Sequence, residues 1–71
     1  MQRLYIKQWR EARGLTQEEA AMRAHVRQAT WSFFERGITT PHRATIVAVA
    51  RALRVKPMAL VRRPPKEVTK R

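Results

Sequence analysis

Arg10-Glu11-Ala12-Arg13-Gly14-Leu15-Thr16-Gln17-Glu18-Glu19-Ala20-Ala21, followed by Ala29-Thr30-Trp31-Ser32-Phe33-Phe34-Glu35-Arg36-Gly37, is the part of the chain that decides its fold. Gly14 falls where a helix C-terminus wants a residue at positive φ, and Arg13 in the preceding turn suits the negative end of the helix dipole. Thr16 restarts a helix at once. It predicts an N-cap, and Glu19 three residues later completes a capping box. A second helix is predicted over about Gln17–Ala24, with Ala20, Ala21 and Ala24 turned inward and small enough to let a neighbouring helix approach closely. His25-Val26 makes a turn. A third helix begins near Arg27 or Gln28 and ends at Gly37, another C-terminal glycine. On it Trp31 and Phe34 share a face with Val26 and point to a core, while Gln28, Ala29, Ser32 and Phe33 lie on the other side.

Working outward, Leu4, Ile6, Trp9 and Ala12 give the segment before Gly14 the apolar side of a first helix. Ile38-Thr39-Thr40-Pro41-His42 is a loop. Helix four is predicted over about Arg43–Leu53, where Ile46, Val49, Ala50 and Leu53 repeat at i, i+3, i+4 and i+7. Arg54-Val55-Lys56 breaks it, and Pro57 at a first helical position opens a fifth helix to about Val61. Met58, Leu60 and Val61 offer apolar surface for a twofold interface. The expected fold is all-α, a compact five-helix domain over residues 1–61. Residues 62–71 form a basic, proline-containing tail expected to be disordered.

Composition narrows the function classes. Seventy-one residues allow one small domain but not a cleft fenced by two lobes. Cysteine is absent, and His25 and His42 do not stand at metal-ligand spacing, so neither a metal nor a cofactor is expected. Thr16, Thr30 and Ser32 lack a base with an orienting acid, and Glu18 and Glu19 are explained by the helix start. Catalysis is therefore not expected. No apolar run reaches bilayer-spanning length, and the first residues lack the apolar core of a secretory signal, so a cytoplasmic protein is expected. Sixteen Lys plus Arg against five Asp plus Glu give a formal charge of +11. That sign and size select a polyanion, with nucleic acid ahead of an acidic protein or a membrane surface.

Taken in order, these elements resemble the lambda-repressor-like, Cro-type helix-turn-helix family over residues 4–61. The residues that carry the resemblance are Trp9-Arg10-Glu11-Ala12-Arg13-Gly14-Leu15-Thr16-Gln17-Glu18-Glu19, then Gln28-Ala29-Thr30, Glu35-Arg36-Gly37, and Ile46 to Val55 around Ala50-Arg51-Ala52-Leu53. The resemblance implies double-stranded DNA as partner, helix two crossing the backbone, helix three in the major groove and a homodimer on a twofold operator. The setting it implies is a prokaryotic or phage-like nucleoid. Gln28 becomes the first candidate for base reading, because an amide can bond adenine N6 and N7 together. Arg27, Ala29, Ser32 and Phe33 stand around it. Thr16 and Gln17 become phosphate ligands at a helix N-terminus, with Gln17 also bracing Gln28. Arg36, Thr39, Thr40, His42 and Arg43 become a second phosphate grip, with Arg43 reaching toward the minor groove. Arg10 and Glu35 match a structural, partly buried salt bridge.

Departures from the family pattern concentrate in the turn and helix three. His25 stands where a turn glycine is common. Arg27 replaces a small polar cap, losing a hydrogen bond worth about 1 kcal/mol and placing a cation beside the DNA backbone. Ala20 replaces leucine and Trp31 a medium aliphatic, an exchange expected to conserve core volume. Phe33 occupies a position that is commonly polar or basic, and it has three readings: contact with thymine methyls, contact with a protein, or folding back on the domain. The expected function is sequence-specific transcriptional regulation, with repression as the simplest mode. Two alternatives stand beside it. One is an antitoxin-like or adaptor protein using Phe33, Ala29 and the apolar C-terminal end. The other is a non-specific basic nucleic-acid-binding protein.

Overall fold

A computed structural model describes residues 4–62, and its order is α1 (Ile6–Ala12), α2 (Gln17–Ala24), α3 (Gln28–Arg36), α4 (Arg43–Leu53) and α5 (Pro57–Arg62). All five predicted helices are present, and α2 has the bounds read from its cap and its turn. Thr16 Oγ1 accepts from the Glu19 amide at 3.0 Å, and a Glu19 carboxylate oxygen accepts from the Thr16 amide at 2.9 Å. The capping box is closed. The tail is expected over residues 62–71, but α5 takes in Arg62, and residues 63–71 lie outside the described residues. Among the described residues no helix is long and apolar enough to cross a membrane.

Four helix ends close by one device. Gly14, His25, Gly37 and Arg54 all take left-handed φ, at 71°, 62°, 75° and 59°. In each case the next N–H reaches back five residues: Leu15 to Arg10 (3.2 Å), Val26 to Ala21 (3.0 Å), Ile38 to Phe33 (3.0 Å) and Val55 to Ala50 (2.9 Å). This is the Schellman arrangement, which satisfies carbonyls that the helix leaves free. A side chain disfavours that backbone region, so His25 and Arg54 hold it at about 1 kcal/mol each. His25, which stands where a turn glycine is common in the family, holds the left-handed conformation itself. Arg54 was legible only as a helix break.

The core is built from Ile6, Ala20, Ala21, Ala24, Trp31, Phe34, Val49, Ala50, Ala52, Leu53 and Leu60. α2 sits between α3 and α4, its three alanines allowing both to come near. Ala20 and Trp31 are both fully buried in this one cluster, as the proposed exchange of volume requires. Pro41 is also buried, which pins the loop between α3 and α4.

The N-terminal segment is bolted to the C-terminal one. The Tyr5 amide donates to the Leu60 carbonyl at 2.8 Å, and Trp9 Nε1 donates to the Ala59 carbonyl at 3.4 Å. Arg13 lies 5.3 Å from the Trp9 ring centroid and donates from Nε to the Leu53 carbonyl (2.7 Å) and from Nη2 to the Arg54 carbonyl (3.1 Å). It therefore caps α4 from outside, a role larger than complementing its own helix dipole. One expectation is corrected here. Leu60 is fully buried, so it cannot join Met58 in an apolar surface, because packing into the core, where α5 lies against α4, has already removed it from solvent. Met58 stays 57% exposed.

Candidate nucleic-acid interface

The orientation of α3 is set by its inward residues. Nine residues of helix place Trp31 and Phe34 toward the core, where α3 packs on α2 and α1, and both are buried. Glu35 lies along the edge of that face, with its side chain only 3% exposed. It accepts from Arg10 Nε at 2.5 Å, Arg10 Nη2 at 3.3 Å, Gln17 Nε2 at 3.0 Å and Trp31 Nε1 at 2.6 Å. Arg10 also donates from Nη1 to the Leu15 carbonyl at 2.8 Å, tying in the α1–α2 link. One carboxylate thus joins α1, α2 and α3. Burial alone would push the Glu35 carboxyl up. The hydrogen bonds from Arg10, Gln17 and Trp31, with the charge of Arg10, outweigh it and hold the group below the ordinary glutamate value.

Arg10 and Glu35 are paired as the family resemblance implied. Gln17 is placed differently from expectation: its side-chain amide goes to Glu35 instead of bracing Gln28. Seven residues separate Gln28 from Glu35, so the two share one edge of α3 two turns apart. The Glu35 carboxylate is the stronger acceptor, being charged. The Trp31 bond to Glu35 was not foreseen. The signal was present, since Trp31 and Glu35 are four apart on a helix and a buried indole N–H needs an acceptor.

With that side fixed, the opposite side faces outward. Arg27, Gln28, Ala29 and Phe33 are exposed and Ser32 is half-buried. Arg27 occupies the N-cap of α3 in extended conformation and makes no side-chain cap bond, as its replacement of a small polar residue predicted. The Arg36 guanidinium lies over the Phe33 ring, 5.6 Å from its centroid. Phe33 is 39% exposed.

Two flanks complete the surface. At the start of α2, Thr16 is held in its capping box and the Gln17 and Glu18 amides open the helix, where no intrahelical acceptor exists for them. The Gln17–Glu35 bond brings this N-terminus against the last turn of α3. Beyond Gly37, Thr39, Thr40, His42 and Arg43 are all exposed on the loop and the first turn of α4. His42 is the N-cap of α4 and makes no side-chain cap bond. The result is a helix with a free outward side, bordered by a helix N-terminus and by a loop rich in hydrogen-bond donors. Arg27, Arg36 and Arg43 supply positive charge along it. Glu35, the carboxylate that α3 itself carries, is already neutralised by Arg10.

Residues 3–63 match the model of a family described as a helix-turn-helix domain. No curated protein is significantly similar in sequence. Among solved structures, the chain is similar to the restriction-modification controller protein C.AhdI from Aeromonas hydrophila, at 28% identity and TM-score 0.77, over 79% of this chain and 85% of that one. It is similar to SinR, the master regulator for biofilm formation, solved in complex with DNA, at 32% identity and TM-score 0.73, over 78% and 89% of the two chains. The P22 c2 repressor, solved with a synthetic operator, shares the fold at 24% identity and TM-score 0.75, over 80% and 86%.

Proposed function

The chain belongs to the helix-turn-helix domain family, of the Cro type, and we propose on that footing that it is a sequence-specific double-stranded DNA-binding regulator of transcription. In this reading it acts as a repressor, and a homodimer places two copies of α3 in successive major grooves about 34 Å apart. The observation that carries the reading is the division of α3. Its inward side is locked through Glu35, Trp31 and Phe34, and its outward side presents Gln28, Ala29, Ser32 and Phe33 between two donor-rich flanks.

Gln28 reads adenine, with Arg27, Ala29, Ser32 and Phe33 contacting neighbouring base edges. The α2 N-terminus takes one phosphate through the Gln17 amide, aided by the helix dipole. Arg36, Thr39, Thr40, His42 and Arg43 grip the backbone on the far side of the groove, with Arg43 toward the minor groove. Gln17 contributes to phosphate binding through its backbone, since its side chain serves Glu35. The likeness to SinR, solved in complex with DNA, supports DNA as the ligand.

Selection of binding sites from a random duplex pool tests the reading. A twofold motif is expected, bound with a log–log salt slope of about −5 per domain for roughly six phosphate contacts. A pool that yields no enriched sequence, with a steep salt slope retained, would identify a non-specific basic binder. A slope near zero, with a stoichiometric protein partner recovered in place of DNA, would identify an adaptor.

A further inference from the structure

Phe33 is the one large apolar side chain on the outward side of α3, and its surroundings make it more than an exposed ring. Ala29, one turn earlier on the same stripe, is small and exposed, so nothing fences the ring on that side. Ile38 follows the helix end, is 60% exposed, and is tied to the Phe33 carbonyl by its own amide at 3.0 Å. The Arg36 guanidinium covers one face of the ring, which restricts how the ring can turn. An apolar stripe thus runs down a surface otherwise made of cations and hydrogen-bonding groups.

In the major groove the base edges offer donors, acceptors and one prominent apolar group, the C5-methyl of thymine. Cytosine methylated at C5 carries the same methyl at the same place, and its N4 donor is unchanged. Resting on the reading of α3 as the groove-bound helix, we propose that Phe33 recognises the C5-methyl group of a pyrimidine, so that the domain prefers thymine or 5-methylcytosine to unmodified cytosine there. Methylation of an operator cytosine then tunes binding. Arg36 acts as a positioning residue, holding the ring toward the groove, and Gln28 reads hydrogen bonds independently of it.

The test uses duplexes enriched from a random pool by the full chain. Each thymine is replaced in turn by deoxyuridine, which removes only the methyl. Each thymine–adenine pair is also replaced by a cytosine–guanine pair, unmodified or 5-methylated. At one or more positions deoxyuridine is expected to weaken binding about four-fold, the worth of one buried methyl-sized group, and 5-methylcytosine to bind about four-fold tighter than cytosine. Phe33→Ala is expected to bind the methylated and unmethylated forms alike at those positions while keeping the salt slope. Phe33→Leu retains part of the sensitivity, and Arg36→Ala shrinks it without moving its position. Thermal melting establishes that each variant is folded. If deoxyuridine changes nothing, or if Phe33→Ala keeps the full sensitivity, the methyl inference is overturned and the DNA reading stands. A pool without any enriched sequence overturns both.

Discussion

On the inward side of α3, Trp31, Phe34 and Glu35 are each fixed by packing or by short hydrogen bonds from α1, α2 and α3 itself. On the outward side, the same helix leaves Gln28, Ala29 and Phe33 exposed, with Arg36 laid across the Phe33 ring. The difference shows how a nine-residue helix can be rigid and still available. Its position comes from one side, and whatever it recognises is met by the other. Substitutions on the two sides are therefore expected to separate cleanly, with stability moving for one set and sequence preference for the other.

Glu35→Ala gives the largest expected effect. It strands the Arg10 guanidinium, 12% exposed, along with the Gln17 and Trp31 donors, and should destabilise the domain by about 3–5 kcal/mol in urea unfolding. The same group makes stability depend on acid. Its folded-state pKa is depressed, so its contribution is complete above the ordinary glutamate range and is lost as pH falls through the folded value. Melting temperature measured from pH 7 down to pH 3 is expected to drop in that acid window. Glu35→Gln should remove that part of the drop; an unchanged acid limb would mean the carboxylate is not the hub.

Trp31→Phe is the next largest test. It removes the indole donor to Glu35 together with part of a fully buried ring, so a loss of about 1.5–3 kcal/mol is expected for the hydrogen bond to a charged group, with the cost of the small cavity added to it. Relative affinities among operator variants should not change. If they do, the two sides of α3 are coupled and the separation fails.

Gln28→Ala should show the converse. Its expected cost is about 1–3 kcal/mol of discrimination at one base pair, read by competition between duplexes, with the unfolding midpoint unmoved. Gln28 is exposed, so nothing in the core depends on it.

The sequence made the scaffold legible because each of its signals was local. Thr16 and Glu19, Gly14 and Gly37, and the Ile46–Leu53 stripe each act within one or two helical turns, where spacing and geometry correspond closely. Arg10 and Glu35 are far apart in sequence and were legible only through family resemblance. The hydrogen bond from Gln17 to Glu35 escaped, as did Arg13 capping α4, because each depends on how two helices are juxtaposed; the bond from Trp31 to Glu35 lies within α3, and its i, i+4 spacing was legible though unread. Leu60 escaped because a leucine in a short terminal helix reads as surface or core alike until α5 is docked against α4.

Arg27 stands where the two sides of α3 meet, and it sharpens the comparison with the smallest effect. Its backbone already has the extended conformation of an N-cap, with φ −75° and ψ 153°, yet its side chain accepts no hydrogen bond from the helix. Arg27→Ser supplies an acceptor without asking the backbone to move, and should stabilise the domain by about 1 kcal/mol. It also removes a cation from the edge of the proposed interface. If Arg27 lies against a phosphate, the log–log salt slope should fall by about 0.9 as stability rises. An increase in melting temperature with an unchanged slope would place Arg27 off the backbone and leave its charge as part of the diffuse field. A better-capped helix that binds DNA less tightly would show that the cation at this position serves binding at the expense of the fold.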